Sequence, residues 1–226
     1  MTICNFTDSY KNFIEKITVG GSSWESSSRL EDARIFDDLR ILDMTDVAES
    51  TGYCSDAAAG IIRSRIRNED VRDVRYIDDG NHHYLSRLWM EKIKEPFDLV
   101  VFDHHTDLQK PGLLPFLSCG SWVRDSISGL IMLNNVYLIG VPDNTVLPED
   151  LPADRIHMTG ETEAVNGSME ISAGTFPIYV SIDLDVLAPE EYESIWDQGS
   201  MTKKRLLDWL GYLKTCRRTI AVDFCG

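Results

Sequence analysis

The chain has 226 residues, 43% of them hydrophobic, and a formal net charge of −15. This length can bury one sizeable core, and the acidic balance makes nucleic acid and anionic membrane surfaces poor partners. No apolar run approaches the ~20 residues that span a bilayer, Met1-Thr2-Ile3-Cys4-Asn5 lacks a signal-peptide pattern, and five scattered cysteines without a CxxC pair read as reduced thiols of a cytoplasmic protein.

Gly20-Gly21-Ser22-Ser23-Trp24-Glu25-Ser26-Ser27-Ser28 is the nearest approach to a linker and sets off an N-terminal arm over 1–30 within a single expected domain, 1–226. Residues 40–44 form a short strand candidate. Ser55 is placed to cap a helix reaching 67, with Ala58, Ile61, Ile62 and Ile66 as its apolar positions. A strand over 74–78 is followed by a helix over 84–94, closed by Pro96. Further strands are expected over 97–103, 135–140, 176–184 and 219–224, with helices over 121–131 and, after a Thr202 cap, over 203–214. Alternation of this kind predicts a three-layer α/β/α domain with a mainly parallel sheet, whose ligands bind beyond the carboxyl ends of the strands.

Two runs stand at such ends. Phe102-Asp103-His104-His105-Thr106-Asp107 follows Leu99-Val100-Val101, and Ser181-Ile182-Asp183-Leu184-Asp185 follows Ile178-Tyr179-Val180. Side chains of a strand alternate between faces, so Asp103, His105 and Asp107 start on one side, and Asp183 and Asp185 on one side. Four carboxylates brought together repel unless a cation lies between them, which makes a metal site the leading reading. Mixed carboxylate and imidazole donors suit Mn²⁺, Zn²⁺ or Fe²⁺.

The two runs resemble the metal motifs of the arginase/agmatinase/formiminoglutamase (ureohydrolase) family, D-A-H-x-D and S-x-D-x-D-x-x-x-P. Here they read D-H-H-T-D and S-I-D-L-D-V-L-A-P, with Pro189 on the family proline and Ala188 before it. The family's earlier G-G-D-H falls on Gly80-Asn81-His82-His83. Aligning the histidines favours His83 over His82 as a ligand. The resemblance covers residues 74–226 and implies two Mn²⁺ ions bridged by Asp103 and Asp183. His83 and Asp107 would complete one ion, and His105 and Asp185 the other. It further implies a water of lowered pKa attacking a trigonal carbon, with Asp107 as its proton acceptor or orienting group, and hydrolysis of a C–N bond in a guanidino, formimino or amide-type small molecule. Homo-oligomerisation is left open.

Departures bear on the substrate. Where the family places a shuttle histidine before glycine, this chain has Cys119-Gly120. A thiol with an unperturbed pKa near ~8.5 is no substitute for imidazole. Cys119 is a candidate substrate-site residue, against the plainer reading of an inert thiol. The family's guanidinium-binding Glu would fall on Gly226 or beyond it. Two rival readings follow, a metal-binding relative without hydrolytic turnover and a single-zinc deacetylase-like hydrolase. Trp89, Trp122, Trp196 and Trp209 read as core or rim anchors, Lys203-Lys204-Arg205 as a solvated helix start, Arg217-Arg218 as helix-end cations, and His157 as an ordinary surface or loop residue.

Overall fold

Runs such as Leu99-Val100-Val101-Phe102 are apolar at every position, which suits strands covered on both faces. The computed structural model describes residues 1–7, 39–110, 112, 116–171 and 174–226. Its main sheet comprises β1 (Thr2–Asn5), β2 (Arg40–Asp43), β4 (Val74–Ile77), β5 (Phe97–Phe102), β7 (Leu133–Val141), β8 (Ile156–Gly160), β9 (Ile178–Asp183) and β10 (Thr219–Cys225). These lie in the order β2-β1-β4-β10-β9-β5-β7-β8, and every neighbouring pair is parallel. A separate two-stranded antiparallel ribbon joins β3 (Tyr53–Cys54) to β6 (Leu117–Ser118).

Alternate residues of the central strands feed two cores. Leu99 and Val101 of β5, with Val136 and Leu138 of β7, meet α1 (Asp56–Ile66), α2 (Leu85–Met90) and α3 (Trp122–Gly129) on one face. Val100, Phe102, Tyr137 and Ile139 meet α4 (Glu161–Asn166) and α5 (Lys203–Cys216) on the other. The result is the expected three-layer α/β/α arrangement. Ser55 caps α1 by accepting from the Ala58 amide at 3.2 Å, and Thr202 caps α5 by accepting from Arg205 at 3.1 Å. No helix among the described residues is long and apolar enough to cross a membrane.

The structure departs from the sequence reading in several places. Part of the expected arm, Thr2–Asn5, is a strand inside the sheet; Gly20 to Ser28 lie outside the described residues. α2 stops at Met90 rather than 94, because the Lys92 and Ile93 amides bond three residues back, to Trp89 and Met90, and tighten the last turn. Strands β3, β6 and β8 and helix α4 were not expected. His157 lies on β8 and stacks on Tyr137 at 4.8 Å. Arg217 stands at the C-terminal cap of α5, as a helix-end cation. It is buried and ion-paired with Asp98 of β5. Gly140 in β7 has φ +103°, and a Cβ there would stand 2.5 Å from Val186 and 3.3 Å from the Asp103 carbonyl. Glycine lets β7 pass close under the loop that follows β5.

Candidate metal centre

Three loops, following β4, β5 and β9, meet at the C-terminal edge of the sheet. Of the six donors only Asp183, the last residue of β9, lies on a strand. β5 ends at Phe102, so strand alternation does not position residues 103–107. Asp103 instead turns the chain, its Oδ1 accepting from the His105 amide at 2.6 Å, and Asp107 has φ +51°. A non-glycine residue in that region costs energy and tends to occur where the surroundings demand a particular side-chain direction. β9 ends at Asp183, which caps a 3-10 turn over Leu184–Val186 by accepting from the Asp185 amide at 3.0 Å. That turn, not alternation, brings Asp185 back beside Asp183. After β4, Asp79 caps a second 3-10 turn over Gly80–His82.

The second turn sends the paired histidines apart. His83 Nδ1 is 3.3 Å from Asp103, 3.4 Å from Asp107 and 3.2 Å from Asp183. His82 Nδ1 meets Asp79 at 2.9 Å, and its ring stacks on Phe6 at 4.2 Å. His105 Nδ1 is 2.9 Å from Asp185 and 3.5 Å from Asp103. The structure thus brings His83, Asp103, His105, Asp107, Asp183 and Asp185 together and leaves His82 outside.

The electrostatics of this group are those of like charges held close. Burial and the charges of Asp103 and Asp183 raise Asp107 well above the ordinary carboxylate range. Burial likewise raises Asp183 and Asp185. Burial alone would lower His83, but Asp103 and Asp183 lift it well above its usual value. Hydrogen bonds to Asp103 and then Asp185 push His105 up to about 11. Five of the six donors form two groups, His83–Asp103–Asp107 and Asp103–His105–Asp185, each with all atoms within 4.8 Å of one another. Asp103 belongs to both, and Asp183 adjoins the first through His83 Nδ1 at 3.2 Å. Together these four carboxylates and two imidazoles fit divalent cations with mixed oxygen and nitrogen donors.

Side chains that the sequence did not single out fix these donors. Trp122 Nε1 donates to Asp107 Oδ2 at 2.5 Å, and its ring lies 4.7 Å from that of His83. His83 Nε2 meets Ser181 Oγ at 2.9 Å, and Ser181 meets Ser86 at 3.1 Å. Such outer contacts orient a ligating imidazole. Ser181 was visible as the first residue of its motif, whereas Trp122 carried no signal beyond being a tryptophan. The Cys225 thiol, at the end of β10, lies within the same 4.8 Å of His83 and Asp183 and donates to the Asp79 carbonyl at 3.2 Å. Burial and the nearby carboxylates raise it well above the usual thiol range, so it is a neutral neighbour of the donors.

A cavity of about 330 Å³ opens over the donors, and half-buried Cys119 lines it. Burial and the charge of Asp107 raise the Cys119 thiol, which holds it protonated.

Residues 21–224 match the model of a protein family described as the arginase family, extending the likeness upstream of residue 74. An uncharacterised protein of Thermotoga maritima is 31% identical over 153 residues, which are 68% of this chain and 57% of that protein. The chain therefore spans little more than half the length of that relative. Among solved structures, an agmatine ureohydrolase of Thermoplasma volcanium has a TM-score of 0.65 at 14% identity, covering 99% of this chain and 79% of that one. The proclavaminate amidino hydrolase of Streptomyces clavuligerus has 0.61 at 17%, covering 83% and 66%. Formimidoylglutamase of Bacillus subtilis has 0.61 at 13%, covering 83% and 63%. At these identities the likeness to solved structures is one of fold.

Proposed function

The chain belongs to the arginase family, and from that premise we propose that it is a hydrolase that holds two Mn²⁺ ions in this centre and cleaves a C–N bond of a guanidino, formimino or amide-type small molecule. The supporting observation is the division of the donors into two groups that share Asp103. When bound, the two ions supply Lewis acidity and lower the pKa of water in the site.

The chain's own residues then have distinct tasks. His83, Asp103, His105, Asp107, Asp183 and Asp185 would hold the ions, with Ser181 Oγ fixing His83 Nε2 at 2.9 Å so that Nδ1 stays turned to the carboxylates. Trp122 holds the Asp107 carboxylate through Oδ2, and Asp107 would orient the attacking water or take its proton. Cys119, a neutral thiol on the cavity wall, does not replace an imidazole shuttle.

Elemental analysis of the purified chain after Mn²⁺ loading tests the reading, with two ions per chain expected. A saturating value of one that tightens with Zn²⁺ would instead favour a single-zinc, deacetylase-like hydrolase. Cys119 supports a second reading, metal binding without turnover. Two bound ions with no hydrolysis of any guanidino, formimino or amide compound would select it.

A further inference from the structure

The geometry points to Trp196 as the residue that selects the substrate, and to an uncharged carboxamide bearing an apolar or aromatic group as the compound selected; this rests on the hydrolase reading above.

Trp196 belongs to the segment between β9 and α5. That segment is closed at its base, where Leu187 bridges Met201, the Gly199 amide donates to the Asp185 carbonyl at 2.8 Å, and Gln198 Nε2 donates to Leu187 and Tyr192 at 3.1 and 2.8 Å. The tryptophan is therefore carried on a braced loop tied to the Asp185 turn. Its indole packs on Gly80, where a Cβ would stand 2.9 Å from Nε1, and meets the His105 ring edge-on at 6.3 Å. It is nevertheless 41% exposed and forms part of the cavity wall. A large aromatic surface fixed over two metal-ligand loops and left open toward the cavity is a stacking platform.

The remaining wall is neutral. Among the described residues, every ionised side chain lining the cavity is one of the six donors. The others that offer polar atoms, Gln109, Ser118 and Cys119, carry no charge. Four carboxylates are balanced by two divalent ions, so the described lining leaves no surplus carboxylate to pair with a guanidinium, which is always cationic. Nor, among the described residues, does the lining offer a cation other than the donor histidines to hold a substrate carboxylate. An amide suits it better. The Gln109 amide lies over Gly120, at 2.8 Å from where a Cβ would be, and presents both a donor and an acceptor beside the donor cluster. The cavity's volume is at the small end of ligand sites, which restricts the apolar group to the size of one ring or a short alkyl chain.

In the reaction, the oxygen of water forms a bond to the carbonyl carbon and the C–N bond breaks. One proton passes from the water to the leaving nitrogen, giving a carboxylic acid and ammonia with no oxidant or second reactant.

The test uses the full chain loaded with Mn²⁺. Ammonia release from benzamide and phenylacetamide is compared with urea release from arginine and agmatine, and binding of the amides is followed separately by ligand-observed NMR. The amides should bind and be hydrolysed, and the guanidino compounds should not. Trp196→Ala should raise the amide Kd and KM roughly tenfold, the loss of one good aromatic contact, with kcat changed less than about twofold. Trp196→Phe should restore both values while metal content stays the same. Two bound ions with faster turnover of arginine or agmatine would overturn this inference and leave the hydrolase reading standing. So would an amide Kd unmoved by Trp196→Ala, or amides that bind without reacting or do not bind. A chain that takes up no ion would overturn both.

Discussion

Two groups of buried charge lie one behind the other in this protein; on β9, Tyr179 of the first stands four residues before Asp183 of the second. In the first, Arg75 of β4 donates through Nε to Asp223 of β10 at 2.7 Å, through Nη2 to the Tyr179 hydroxyl of β9 at 3.0 Å, and through Nη1 to the Val71 carbonyl at 2.7 Å. The Trp89 ring covers its guanidinium at 4.3 Å. One cation meets one carboxylate, and Asp223 and Tyr179 hold it in its charged form against burial. In the second, at the strand ends, four carboxylates face two imidazoles. Ser181 and Asp183 follow one another toward that edge, opposite Asp223 and Cys225. Buried charge is tolerated only when it is neutralised and hydrogen-bonded. Where the chain supplies the opposite charge, the region is structural. Where it supplies a surplus of one sign, the balance has to come from a ligand.

This contrast can be broken most sharply at its structural half. Arg75→Met should cost about 3–5 kcal/mol, because it strands Asp223 without a partner; urea unfolding of the metal-free chain measures it. Asp103→Asn, equally buried, should cost the metal-free chain less, since the partner it takes from His83 and His105 is offset by relief of repulsion among the four carboxylates. Equal losses from the two changes would mean that the donor cluster is already balanced without ions. Adding Mn²⁺ at about a hundred times its Kd should then stabilise the unaltered chain by about 2.7 kcal/mol, read as a rise in Tm. Asp103→Asn and Asp183→Asn should lose that gain, and Asp185→Asn should lose less. A finer probe is Ser181→Ala, which frees His83 Nε2 and should weaken Mn²⁺ affinity by about 10–100-fold, measured by titration calorimetry.

The last of these effects concerns protons. Without ions, His83 and His105 are raised and hold protons at neutral pH, and burial raises Asp107, Asp183 and Asp185 above the ordinary carboxylate range. Ions bind only the deprotonated donors, so loading displaces protons and affinity rises with pH until the histidines titrate, near 11 for His105. Each displaced proton is worth about a tenfold change in affinity per pH unit. Affinity that is flat between pH 6 and 8 would contradict this assignment of the donors.

Much of this arrangement could be read in the sequence, for reasons that also mark where reading stops. β5 and β9 stand out because strands buried on both faces are apolar without interruption, and the Asp and His residues after them break that pattern abruptly. β1, β3 and β6 span two to four residues and leave no period to detect. β8 is mostly half-buried and α4 has six residues, so neither presents a clear apolar stripe. Within the site, residue types were legible but directions were not. A 3-10 turn, rather than proximity to the helix, separates His82 from His83, and a left-handed residue aims Asp107. The partners of buried polar groups were hidden by distance along the chain. Arg217 finds Asp98, 119 positions away, and His83 finds Ser181, 98 positions away.

β10 comes latest in chain order yet lies in the middle of the sheet, joining β4 on one side to β9 on the other. On the ribosome, β1, β2 and β4 are made as one part-sheet and β5, β7, β8 and β9 as another, and within the described sheet only residues 219–225 pair the two. His83 travels with the first part, and the other five donors with the second. A nascent chain halted before β10 therefore contains every donor but has no strand to register the two parts against each other. Without β10, β4 and β9 would each present a raw sheet edge.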